Sequence, residues 1–217
     1  VGDKIVLPFL DDGEEFYSTW GAFAEYAVIG DAEAMMEDGH TVGDGVLTEG
    51  NLGQKKIPEG LDDVEAAMIV TYREVYSTMK RLGFQKGKSL ILYGAGPVGL
   101  VFITLAKYMG LSPIICVDHT EKKLESARKC GADYTLNFDQ CDVTEEVLKI
   151  LPEKADMILD AAGVPALINQ NLKLVKNFGD VCIYGETAKS EYLINWEEAP
   201  FCFNLRFAQW PSKAEEA

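Results

Sequence analysis

From residue 89 onward, short, wholly apolar runs alternate with longer segments whose apolar positions recur at helical spacing. Residues 89–93 have the length of a buried parallel strand. Val98, Leu100, Val101, Phe102, Leu105, Ala106 and Met109 then make one wide helical face, which Gly110 closes as a C-cap. A second buried strand follows at 113–117. The same period continues with helices at 121–129, 144–151 and 165–175 and strands at 134–136, 155–160 and 180–184. The aromatic run 201–210 is expected to supply a sixth strand, and 211–217 to begin a helix. This alternation predicts an α/β, doubly wound parallel sheet of the Rossmann kind, with helices on both faces.

Upstream the pattern weakens. Residues 1–8 read as a turn entering a strand, 11–15 as an acidic loop and 21–29 as another strand. Residues 30–57, with many glycines and acids, are expected to form an irregular connection. Pro58 to Gly60 marks a turn, Asp62 or Asp63 can cap a helix over 64–68, and a second helix is expected from 71 to 82, ending at Gly83. The predicted division is a partial β-rich segment at 1–57 and a nucleotide-binding domain at 58–217.

The turn between the first two core strands reads Gly94-Ala95-Gly96-Pro97-Val98-Gly99, a G-x-G-x-x-G, and Asp118 stands nineteen residues after the last glycine. Three glycines alone would mean little. Strand, glycines, helix, strand and acid in this order are the fingerprint of a dinucleotide site. Gly94 permits the tight turn, Gly96 offers no side chain against a pyrophosphate, and Gly99 lets helix and sheet approach. The phosphates would meet backbone N–H groups at the positive end of the helix dipole. Asp118 would accept hydrogen bonds from the adenosine ribose diol and repel a 2′-phosphate, so NAD is expected over NADP.

Composition narrows the class without changing it. Of 217 residues 47% are hydrophobic and 25% charged, an ordinary globular balance. The net charge is −15, with thirteen acids against three lysines in residues 1–60, which argues against nucleic acid as a partner. No apolar run reaches the roughly 18 residues that span a bilayer, and no signal peptide opens the chain, so no membrane partner is expected. Cys116, Cys130, Cys141, Cys182 and Cys202 include no C-x-x-C pair, which suggests reduced thiols in a cytoplasmic protein. With only His40 and His119 besides, no zinc cluster is expected within this chain.

Val1-Gly2-Asp3-Lys4-Ile5-Val6, Gly21-Ala22-Phe23-Ala24-Glu25-Tyr26, Ile57-Pro58-Glu59-Gly60-Leu61, the glycine turn, Lys129-Cys130-Gly131-Ala132-Asp133 and Asp160-Ala161-Ala162-Gly163 together resemble the medium-chain dehydrogenase/reductase family. That family comprises the zinc alcohol and polyol dehydrogenases and their zinc-free relatives. The resemblance makes 1–57 a partial GroES-like segment of the catalytic domain. It implies a fragment lacking the start and end of that domain, with the nucleotide domain whole. Zinc is then a matter for the parent protein. Residues 8–20 hold no cysteine for a structural site, and Val70-Thr71-Tyr72 stand where a third catalytic ligand would fall. Glu74 could serve only if the alignment slips. The resemblance also implies homodimers joined through the last strand of the nucleotide domain.

The cofactor-binding candidates are therefore Gly94, Gly96, Pro97, Val98, Gly99, Asp118, Lys123, Ala161, Ala162, Gly163, Tyr184 and Gly185. Lys123 matches the family lysine that reaches the ribose, or is simply a solvated lysine. Ala161-Ala162-Gly163 and Tyr184-Gly185 follow predicted strands, where small residues let a cofactor lie close or merely aid packing. His119 flanks the adenine or points into water. Thr71 to Glu74 form a polar patch whose plainest reading is a solvated helix face. No catalytic residue can be named. The expected function is the nucleotide-binding portion of an oxidoreductase moving a hydride between NAD and an alcohol, polyol or ketone. The alternative is a non-catalytic NAD-binding or regulatory module.

Overall fold

A computed structural model describes residues 2–6, 29–187 and 191–208. The predicted loop at 11–15, nearly all of the strand at 21–29 and the helix at 211–217 lie outside the described residues. In chain order the elements are β1 (Ile5–Val6), α1 (Ala32–Glu37), α2 (Glu49–Gly53), β2 (Lys55–Lys56), α3 (Asp63–Arg81), β3 (Leu90–Tyr93), α4 (Pro97–Tyr108), β4 (Ile114–Asp118) and α5 (Glu121–Cys130). There follow β5 (Tyr134–Asn137), α6 (Val143–Ile150), β6 (Ala155–Asp160), α7 (Ala166–Leu174), β7 (Val175–Ile183), a 3₁₀ turn (Trp196–Glu198) and β8 (Asn204–Phe207). Two compact units divide the chain between Ser77 and Thr78, inside α3.

In the first unit β1 and β2 pair antiparallel. Residues 30–57 are more ordered than the sequence suggested. Asp31 caps α1 by accepting from Glu33 N and Ala34 N, and Thr48 with Asn51 forms a capping box on α2. Two short helices were missed because local caps, not an apolar periodicity, hold them. The two helices predicted at 64–68 and 71–82 are one. Asp62 caps it through Val64 N and Glu65 N. Nothing between Met68 and Thr71 breaks it, because β-branched Ile69 and Val70 lower helix propensity by less than about 0.7 kcal/mol each.

In the second unit six parallel strands lie in the order β5-β4-β3-β6-β7-β8. This is the doubly wound sheet that the alternation predicts, with β8 as its sixth strand. The chain runs outward from β3 on one side and from β6 on the other, so the β3–β6 border is the switch point. Every residue of β3 and β4 is buried. Ile91, Tyr93, Ile115, Val117, Ile158 and Val181 share one core face with Val143 and Val147 of α6. Phe102 of α4 is fully buried and meets Phe84 at 6.3 Å between ring centroids. Each such apolar side chain contributes about 1.5–3 kcal/mol by burial.

The strand predicted at 180–184 starts earlier, at Val175, directly after α7. Its pairing with β6 shifts between Ala155 and Met157. At this irregularity Phe178 takes φ 63°, its N–H donates to the Cys202 carbonyl, and its ring is 80% exposed. An aromatic residue in the left-handed region loses about 1–2 kcal/mol to the contact between Cβ and carbonyl. No burial offsets that here. Phe178→Gly should therefore stabilise the chain by about 1 kcal/mol, raising the melting temperature by roughly 2–4 °C. Differential scanning fluorimetry checks this, and a lowered melting temperature would contradict it.

Candidate nucleotide-binding site

The carboxyl ends of β3, β4, β6 and β7 bring most of the sequence-predicted positions to one edge of the sheet. Gly94 follows β3 with φ +98°, and a Cβ there would lie 3.3 Å from the Ala162 backbone N. Gly99, in the first turn of α4, has no room at all, since a Cβ would stand 1.9 Å from the Gly94 carbonyl oxygen. Gly96 differs. It is the N-cap of α4, no side chain caps that end, Pro97 follows at the first helical position, and a Cβ on Gly96 would meet nothing within 4 Å. The loop is thus packed tightly at its two ends and open at its middle. Val98 is half-buried and Pro97 exposed.

Asp118 closes β4 with only 5% of its surface exposed. Its Oδ2 accepts from Ala95 N at 2.9 Å, inside the glycine turn, and its Oδ1 from Thr120 N at 2.9 Å. Lys123 Nζ lies 3.9 Å and His119 Nδ1 3.6 Å away. Burial alone would raise this carboxyl. The two N–H bonds, with Lys123 and His119, outweigh burial and hold it below the ordinary carboxylate value. Lys123 and His119 are both exposed, and the His119 ring tilts against Phe138 at 5.5 Å.

The third and fourth turns interlock. Ala161-Ala162-Gly163 leaves β6, and Tyr184-Gly185 leaves β7. A Cβ on Gly163 would fall 2.1 Å from the Glu186 carbonyl oxygen, and one on Gly185 2.1 Å from Gly163 N. The Tyr184 ring meets Phe102 edge-on at 5.0 Å, which ties β7 to the helix of the glycine turn. Both turns converge on Asp160, a residue absent from the candidate list. The signal was available, since an Asp followed by small residues and Gly is the pattern of a side chain that caps its own turn.

The family model described as zinc-binding dehydrogenase matches residues 97–203. The chain belongs to the medium-chain dehydrogenase/reductase family, in its zinc-type alcohol dehydrogenase-like branch. It is 29% identical over 167 residues to an alcohol dehydrogenase of Cupriavidus necator, covering 76% of this chain and 41% of that protein. It is 32% identical over 168 residues to an L-threonine 3-dehydrogenase of Pyrococcus horikoshii, covering 77% and 42%. The chain thus spans less than half the length of these relatives. Among solved structures, one described as a zinc-binding dehydrogenase of Sinorhizobium meliloti, bound to NADP, superposes with TM-score 0.68 at 22% identity, covering 75% of this chain and 49% of that one. An alcohol dehydrogenase of Escherichia coli CFT073, complexed with NADH, gives 0.66 at 22%, covering 75% and 48%. At these identities the likeness speaks for the fold.

The name of the matching family model raises zinc. Among the described residues no three His, Cys, Asp or Glu side chains gather as a metal site. Val70, Thr71 and Tyr72 lie within α3, and the neighbouring Arg73 donates to the Gly53 carbonyl at 2.8 Å. The residues described do not fit a zinc centre, and no step below runs through one.

The Asp118 network has a pH signature. A carboxyl lowered in the folded state stabilises the fold fully above its unfolded value, near 3.9, and that stabilisation is lost as pH falls through the folded value. Asp118→Asn should cost about 1–3 kcal/mol at pH 7, with a smaller difference from the parent chain at about pH 3. Urea melts at both pH values check this. An equal difference at both would show that the charge contributes nothing.

Proposed function

We propose that this chain is the nucleotide-binding portion of an NAD-dependent oxidoreductase that moves a hydride between NAD and an alcohol, polyol or ketone. The observation that carries the reading is the glycine turn, closed at Gly94 and Gly99 and open at Gly96, with the buried Asp118 beside it. These residues fit a pyrophosphate and a ribose. The uncapped N-terminus of α4 offers N–H donors and a positive dipole end to the phosphates, and Gly96 leaves room for their approach. Bound there, the nicotinamide ring is the hydride donor or acceptor.

The remaining roles belong to side chains and turns of this chain. Asp118 orients the adenosine ribose through its diol, with Lys123 beside the same carboxylate. Ala161, Ala162, Gly163 and Gly185 floor the nicotinamide half with small residues, and Tyr184 joins them with its ring packed edge-on against Phe102. The group that polarises the substrate oxygen lies outside the candidates named here. Relatives described as alcohol and threonine dehydrogenases support a hydroxyl-bearing substrate class. The chain contains five cysteines, consistent with a reducing, cytoplasmic setting. Among the described residues no helix is long and apolar enough to cross a membrane. β8 pairs with β7 alone and ends the described sheet, which suits a homodimer built through that edge.

The preference for NAD over NADP rests on Asp118. Two unit charges about 4 Å apart at an effective dielectric near 20 interact by roughly 4 kcal/mol. Lys123 and solvent screen most of this, and a surviving third corresponds to about tenfold in affinity. Calorimetric titration with NAD and NADP should show that preference, and Asp118→Ser should weaken NAD and narrow the gap. Equal or tighter NADP binding would refute the role given to Asp118. An absorbance assay at the reduced-nicotinamide band with a panel of alcohols accompanies the titration. Little or no turnover is expected from these 217 residues alone. Robust turnover would mean that catalytic groups stand among them unrecognised.

A further inference from the structure

We infer that Asp160 is a positioning residue that sets the floor beneath the nicotinamide half of the cofactor. This rests on the nucleotide-binding reading above and extends it to a residue that meets no part of the glycine turn's phosphate edge. Asp160 ends β6 and is 2% exposed. Its Oδ1 accepts from Ala162 N at 2.8 Å and Gly163 N at 2.9 Å, and its Oδ2 from Val164 N at 3.0 Å. Its carbonyl oxygen accepts from both Tyr184 N and Gly185 N at 2.9 Å. One residue therefore gathers five backbone N–H groups from the two turns that follow β6 and β7.

A wholly structural explanation would be that any strand end needs its N–H groups satisfied. Two features make Asp160 more than that. First, the turns it gathers are in contact through Gly163 and Gly185, with no space for a Cβ on either. The carboxylate thus fixes the turn after β6, the main-chain carbonyl of the same residue holds the turn after β7, and the two glycines let them meet. Secondly, both turns lie at the carboxyl edge beside the β3–β6 switch point, where open α/β sheets take their ligands. A Cβ on Gly94 would stand 3.3 Å from the Ala162 N, so the turn after β6 lies beside the glycine turn. The adenosine side, built by Asp118 and the N-terminus of α4, has its own hydrogen bonds and stays where it is. Burial holds the Asp160 carboxyl above its ordinary value, and the three N–H bonds only partly offset this.

The test compares a whole cofactor with its adenosine half. ADP-ribose carries the pyrophosphate and the adenosine ribose, whereas NADH adds the nicotinamide. The parent chain should bind NADH more tightly than ADP-ribose. Asp160→Asn, which replaces one accepting oxygen with an N–H₂ facing N–H donors, should lower NADH affinity by about tenfold and leave ADP-ribose within about twofold. Gly185→Ala, which forces the two turns apart without touching the carboxylate, should give the same split. If Asp160→Asn fails to fold, Asp160→Glu, which keeps the charge but moves it by one methylene, should show the same split, and equal losses there would overturn the role. Equal losses for both ligands, or unchanged NADH binding, would overturn the positioning role. So would a parent chain that gains nothing from the nicotinamide. A parent chain that binds neither ligand would instead remove the nucleotide reading itself.

Discussion

Backbone has to pass very close to backbone at the carboxyl edge of this sheet, and that steric constraint governs the rest of the second unit. At Gly99, Gly163 and Gly185 a single added carbon would sit within 2.1 Å of a neighbouring main-chain atom. Such contacts allow α4 to pack on β3 and let the turns after β6 and β7 lie against each other. With these positions closed, the one place left open on the glycine turn is Gly96. The fold makes a narrow, specific gap at the start of a helix by filling everything around it.

Two buried carboxylates hold that edge in place, and they act differently. Asp118 reaches across from β4 to the glycine turn and carries Lys123 and His119 beside it, so its charged form is favoured. Asp160 has backbone donors alone, and burial outweighs them. Asp118 therefore joins the adenosine side of the cleft and keeps a charge available to a ligand. Asp160 uses its carboxylate on the turn after β6 and its main-chain carbonyl on the turn after β7. The hydrophobic core beneath, Ile91, Ile115, Ile158 and their neighbours, supplies most of the stability but no selectivity.

Much of this was legible in the sequence because it depends on local spacing. The run of apolar residues in β3 and β4, the glycines between them and the acid at 118 fix a strand, a turn, a helix and a strand without reference to anything distant. The strands β6 and β7 followed from the same period, and β8 from the aromatic run 201–210. What was not legible depends on contacts or caps. Asp160 reads as the last polar residue of a strand until its carboxylate is seen to bind three N–H groups. The early start of β7 at Val175 is invisible because Lys176, Asn177 and Phe178 follow neither period and form an irregularity between the β6 partners Val175 and Asp180. The two helices in 30–57 are held by Asp31 and Thr48, single polar residues that composition does not distinguish from loop. The continuity of α3 was missed for the opposite reason, a break assumed where no breaker stands.

The central claim is that a pyrophosphate-bearing nucleotide binds at the open middle of the glycine turn, between the start of α4 and Asp118. Backbone amide resonances of the isotopically labelled chain, followed during titration with NADH, test it most directly. The largest shifts are expected on residues 94–96 and 98–100 and on His119 and Thr120, where the N–H groups and the Asp118 carboxylate meet the ligand. Shifts confined to other surfaces, with those resonances unmoved at saturation, would contradict it.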